Sequence, residues 1–298
     1  MSAAAPTLEA PALDEDRAER PERPARPRAR RVLPGLPFAL SYTVLYLGLL
    51  VLVPLGACVA RAATLSWPQF AAAVWTERAR AAYALTFGAS LAAAAVNIVL
   101  GLLVAWVLVR YDFPLRRLVD ALVDLPFALP TAVAGLVYSS LYVPNGWLGQ
   151  YLAPLGIEAA YSRLAVVLVL VFTGFPFVVR AVQPVLQELD AEQEEAAVTL
   201  GAGRWTTFRR VLLPPLWPAL LTGFALSLSR ALGEYGSVVF VAGNMPLRTE
   251  IAPVLIVARL EEFAYAEATA IACVLLAASF ALLALVNLLE RWSKRHGE

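Results

Sequence analysis

Residues 188–215 read Glu-Leu-Asp-Ala-Glu-Gln-Glu-Glu-Ala-Ala-Val-Thr-Leu-Gly-Ala-Gly-Arg-Trp-Thr-Thr-Phe-Arg-Arg-Val-Leu-Leu-Pro-Pro. This polar island sits between two long apolar runs. Five acids (Glu188, Asp190, Glu192, Glu194, Glu195) precede the glycines, and Arg204, Arg209 and Arg210 follow them. Ala196 and Ala197 are small and favour helix, so another protein surface can approach their backbone closely. Gly201 and Gly203 supply the left-handed or open turn that ends one short helix and starts the next. Leu213-Pro214-Pro215 is expected to stop the second helix where an apolar span begins.

Outward from the island the chain is apolar. Of 298 residues, 60% are hydrophobic and 16% charged, against about 45–50% and about 25% in soluble domains. Residues 1–31 hold 13 of the 47 charged residues, six acidic and seven Arg, so the remainder is more apolar still. This excludes an ordinary soluble enzyme and points to an all-α polytopic membrane protein. Six stretches reach the roughly 20 apolar residues that a membrane helix needs: 36–60, 81–109, 118–142, 164–185, 215–241 and 267–289. Asp120 and Asp124 charge the start of the third, Pro126 and Pro130 predict a kink in it, and Phe175-Pro176 predicts a bend in the fourth. Residues 1–35 bury too little apolar surface to fold and are expected to be a disordered cytoplasmic tail. The apolar body then spans 36–290, its polar loop 186–214, and a short C-terminal tail 291–298. Arg30-Arg31 resembles an export signal, but the apolar run that follows exceeds the 7–15 residues of a cleavable segment.

With the N-terminus in the cytoplasm, 16 of the 24 Lys and Arg residues fall in inside segments, six outside, and Arg180 and Arg230 within spans. That asymmetry places both termini in the cytoplasm. A net charge of +1 argues against nucleic acid as a partner. Cys58 and Cys273 lie in apolar runs, His296 stands alone, and no spacing suits a metal or a disulfide framework. No Gly-x-x-x-x-Gly-Lys-Ser/Thr loop is present, so any ATP chemistry must come from another subunit, and no cofactor is implied.

Polar residues inside spans form two stripes. Gly223, Ser227, Arg230, Glu234 and Ser237 recur at helical spacing in the fifth span, as do Thr86, Ser90, Ala94, Asn97 and Gly101 in the second. Such faces meet protein or water rather than lipid, and two of them point to helices lining a shared path. Arg230 and Glu234, four residues apart, make a local ion pair or bond other helices. They read either as a structural pair or, with Ser227 and Ser237, as a gate on an anion path near the outer mouth.

The run Glu195-Ala196-Ala197, three residues, Gly201, nine residues, Val211-Leu212-Leu213-Pro214 resembles the EAA motif of permease subunits of bacterial ABC importers, with Val211 in place of Ile. The stretch Arg230–Asn244 is similar to the fifth-span signature of oxyanion importers. Leu125–Gly135, Pro144-Asn145-Gly146-Trp147, Phe175–Arg180, Gln183–Leu186 and Ile251–Ile256 resemble the T-type permease of the sulfate/thiosulfate ABC importer, over about residues 36–290. The resemblance implies a type I importer fold in the bacterial inner membrane. It implies a W-type second permease, two ATP-binding subunits and a periplasmic sulfate/thiosulfate-binding protein received by the outer loops, 141–163 and 243–246. It makes Glu195, Ala196, Ala197 and Gly201, with Pro214 closing the motif, a coupling helix docked on the ATPase. A molybdate or tungstate permease shares part of the pattern. A secondary transporter or channel explains the stripes but leaves the 195–214 loop unexplained, and a membrane scaffold accounts poorly for Arg230 and Glu234.

Overall fold

The computed structural model describes residues 35–296, without the side chains of residue 191 and residues 290–296. Residues 1–34 of the expected N-terminal tail, and residues 297 and 298, lie outside the described residues. The chain divides after Leu52 into two units.

The first unit holds α1 (Leu36–Leu47), with Pro37 in its first turn, and a π-helical turn at Gly48–Leu52. Its apolar side chains are exposed on every side. A helix that is hydrophobic all round suits lipid.

The second unit begins with α2 (Val53–Ala62) and α3 (Trp67–Val74). Thr76 then caps α4 (Glu77–Arg110), its hydroxyl accepting the Ala79 N–H at 3.0 Å. Three short helices follow, α5 (Arg116–Val123), α6 (Leu125–Ala128) and α7 (Thr131–Tyr142), then α8 (Gly149–Leu152). Ser162 caps α9 (Arg163–Glu188), which runs unbroken through Pro176 and Pro184. The polar island forms α10 (Ala191–Thr199) and α11 (Arg204–Thr207), which leads through a π-helical turn at Phe208–Leu212 into α12 (Leu213–Leu232). The chain ends with α13 (Val238–Val241), α14 (Ala252–Glu261) and α15 (Tyr265–His296).

The centre is α4, α9 and α12. Ala105, Leu108, Val178, Val179, Val182, Leu186, Leu216 and Leu220 pack one end of it, and Ala89, Ala93, Val166, Val169, Leu170 and Ala231 the other. Glycines let the three backbones close up. A Cβ on Gly101 would stand 2.7 Å from Val178 Cβ, and one on Gly223 2.9 Å from Val178 Cα.

Five segments are long and apolar enough to cross a membrane: Leu36–Ala62, Glu77–Arg110, Arg163–Glu188, Arg204–Leu232 and Tyr265–Leu289. The chain is a multi-pass membrane protein. The expected span 118–142 is not one helix. It breaks at Asp124 and again at Leu129-Pro130, where the proline ring and its missing N–H prevent continuation from α6 into α7. The expected span 215–241 also stops early, at Leu232: Gly233 caps α12, and α13 starts only at Val238. The expected stop at Pro214 is absent. Pro214 and Pro215 lie in the first turn of α12, where a missing N–H costs least, and the wider π turn before them absorbs the change of pitch.

Candidate functional site

At one end of the bundle the polar island makes a knob. The end of α10 is closed by three backbone bonds: Leu200 N–H to Ala196 O (3.1 Å), Gly201 N–H to Val198 O (2.9 Å) and Ala202 N–H to Ala197 O (3.0 Å). The last two bend the chain back through Gly201, whose φ of 83° favours glycine. Gly203 is extended and caps α11. Glu195, Ala196, Gly201 and Pro214 are exposed, whereas Ala197 is buried on the face turned to the rest of the chain. The small exposed surface is therefore Ala196 and Gly201, and Ala197 serves packing. Sequence reasoning passed over the apolar residues beside them. Leu200 is 88% exposed, and Val198 and Trp205 are largely so. The signal was there: three large apolar residues among charges, outside the six apolar stretches expected from the sequence.

The knob is tied to α4. Arg110 at the end of α4 pairs with Glu194 at 2.6 Å. The Arg110 guanidinium also lies over the Trp106 ring at 5.7 Å, and that ring meets Phe208 edge-on at 5.9 Å. Phe208 in turn stacks on Trp205 at 5.6 Å. Two independent contacts thus join α10 and the π turn to one long helix.

The other end holds the charged residues of the fifth stretch. Arg230, in the last turn of α12, pairs with Glu234 through Nη1 and Oε2. The other Glu234 oxygen accepts the Ser237 N–H at 2.9 Å and the Ser237 hydroxyl at 2.8 Å. Glu234 and Ser237 are buried while Arg230 is partly open, so the carboxylate holds both the turn and the guanidinium. Because α12 has ended, Glu234 and Ser237 are set by this turn and not by helical spacing. The turn also packs on α7: a Cβ on Gly135 would lie 2.3 Å from Ser237 O, and one on Gly236 2.3 Å from Thr131 Oγ1.

Ser227 lies apart from them. Fully buried, it accepts a hydrogen bond from Asn97 Nδ2 at 3.0 Å, so the two stripes meet each other. Thr86 accepts the Ala252 N–H at 2.8 Å and so caps α14. Within this chain, then, Thr86, Asn97, Gly101, Gly223 and Ser227 hold helices together. The structure also assembles a group that the sequence left scattered: Arg180 of α9 bonds both Asp120 and Asp124.

The family model described as "Binding-protein-dependent transport system inner membrane component" matches residues 97–295. The chain is 52% identical over 254 residues, 85% of its length and 89% of the relative's, to the sulfate transport system permease protein CysT of Synechocystis sp.. It is 50% identical over 268 residues, 90% of its length and 97% of the relative's, to the protein of that name from Escherichia coli. Among solved structures, a bacterial ABC transporter involved in the import of the acidic polysaccharide alginate matches with a TM-score of 0.71 at 18% identity, covering 86% of this chain and 94% of that one. The alginate transporter in complex with an alginate pentasaccharide-bound periplasmic protein matches with a TM-score of 0.69 at 19% identity, covering 86% and 93%. These two matches establish a shared fold.

Proposed function

We propose a function from one premise: the chain belongs to the family of binding-protein-dependent transport system inner membrane components. It is the membrane-spanning permease subunit of an ATP-driven importer that carries sulfate, and thiosulfate with it, into the cytoplasm of a bacterium. It hydrolyses nothing itself. Its relatives across most of its length are named sulfate permeases.

In this reading α5, α6 and α7 together cross the inner membrane as a broken third span. That gives six crossings and leaves both termini in the cytoplasm, as the excess of inside Lys and Arg favours. The knob then faces the cytoplasm. The observation that carries the coupling role is the exposure of Glu195 and Ala196 on a short helix, and of Leu200 and Gly201 just past its end, with that helix braced against α4. An apolar tip presented to water gains by docking. Two ATP-binding subunits are the partners, one under this knob and one under that of a second, W-type permease. A periplasmic sulfate/thiosulfate-binding protein delivers the anion at the opposite mouth. There Arg230 is the gate residue, with Glu234 and Ser237 holding it in place. Ser227 belongs to helix packing.

The test is growth of a sulfate-import-deficient bacterium on limiting sulfate, restored by this chain with its companion subunits. Failure on sulfate with rescue on limiting molybdate would move the assignment to a molybdate permease. Uptake that persists without the ATP-binding subunits would overturn the ATP-driven reading.

A further inference from the structure

The Arg180 guanidinium commits its donors to one cluster. Nε donates to Asp124 Oδ1 at 2.9 Å, and Nη2 to Asp124 Oδ2 at 2.6 Å and to the Asp120 carbonyl at 2.8 Å. Nη1 donates to Asp120 Oδ1 at 2.7 Å and to Gln183 Oε1 at 2.6 Å. Asp124 is the residue between α5 and α6, so these bonds fasten α9 to the break in the third span. The group nevertheless stays open. The side chains of Arg180, Asp120 and Asp124 are 32%, 40% and 47% exposed.

Arg180 lies 17 residues into α9, about 26 Å at 1.5 Å per residue, with eight helical residues still to come. Three partly exposed charges at that depth do not sit against lipid tails. Their side of the chain must meet water or protein. The ring of Phe127, just past the break and mostly exposed, lies edge-on to Phe177 of α9 at 5.1 Å and continues the same surface. Two carboxylates against one guanidinium leave a net negative charge, which repels an anion.

We propose that Arg180, Asp120 and Asp124 form a charge latch on the inner half of the anion route, on the surface shared with the second permease. This rests on the reading of the chain as half of an anion importer. While the latch is closed, its surplus carboxylate charge opposes exit of the cargo and the broken span is held to α9. Opening it separates Arg180 from Asp124, releases the broken span from α9 and lets the two carboxylates move off the route with that span. Arg180 is here a positioning residue, acting through the helices that it joins.

The test uses the whole complex in proteoliposomes. Asp124→Asn loosens the latch and should let labelled sulfate leak without ATP, and should raise ATP hydrolysis in the absence of the binding protein at least threefold. Asp120→Asn, which keeps the two-armed Asp124 contact, should give the same changes more weakly. In a chain carrying Cys58→Ser and Cys273→Ser, Asp124→Cys should react with a charged, membrane-impermeant thiosulfonate from the cytoplasmic side. A merely structural ion pair predicts lower yield but neither leak nor futile hydrolysis. If the wild-type complex imports sulfate, yet neither Asn variant leaks or hydrolyses faster, the latch is overturned whether or not the Asp124→Cys thiol reacts, and the transport reading stands. If the wild-type complex carries no sulfate, both fall.

Discussion

Arg78 in the first turn of α4 grips Glu250, ahead of α14, with two parallel hydrogen bonds, Nε to Oε2 at 2.8 Å and Nη2 to Oε1 at 2.7 Å. The Glu250 carboxylate is almost wholly buried. Bidentate geometry of this kind is specific to Arg. Together with the Thr86 cap on α14, it fixes the segment after α13 to the long helix that the knob braces at its far end.

Breaking that grip from one side should be costly. Arg78→Ala leaves an unpaired buried carboxylate and should destabilise the chain by about 3 kcal/mol, seen as a lower Tm of the detergent-solubilised complex. The paired change Arg78→Met with Glu250→Leu should recover most of the loss, because the cost lies in the orphaned charge.

Two glycines should behave in opposite ways. A Cβ on Gly174 would stand 2.4 Å from Ser227 Oγ and 2.8 Å from Asn97 Nδ2, while one on Gly88 meets nothing within 4 Å. Gly174→Ala should therefore cost about 1–3 kcal/mol through overpacking. Gly88→Ala, in the interior of α4, should gain up to about 1 kcal/mol of helix stability. Thermal unfolding of the two variants side by side checks the contrast.

Docking of the knob should depend on its apolar tip. Burying one leucine side chain is worth about 1.5–3 kcal/mol, roughly tenfold or more in affinity. Leu200→Asp should lower co-purification of the ATP-binding subunit by at least that factor and leave the chain in the membrane. Ala197→Gly, on the inward face, should act on stability instead.

The contact between α2 and α15 can be trapped chemically. Cys58 Sγ and Cys273 Sγ lie 3.9 Å apart. Copper-phenanthroline should join them, losing two hydrogens to the oxidant, and block alkylation of both thiols; Cys58→Ser should abolish the effect. Full alkylation of both after oxidation would show that α2 does not lie on α15.

Much of this protein is written in short-range pattern. Membrane length, the two glycine-bounded helices of residues 188–212 and the helical spacing of the small-residue stripes follow from local hydropathy and backbone preference, which act within a few residues. The sequence also marked Arg230 and Glu234 as costly charges within a span, placed Arg180 inside another, and set Asp120 and Asp124 at the start of a third. Tertiary structure decided their partners. Arg180 closes on two carboxylates 56 and 60 residues away, and Glu234 turns to Ser237 because α12 ends before reaching either. It also turned Ala197 inward and Leu200 outward, and set Asn97 on Ser227. A charge or amide held away from water takes whichever complementary group the packed backbones bring within about 3 Å, and that proximity comes from how helices cross, which no local run of residues encodes.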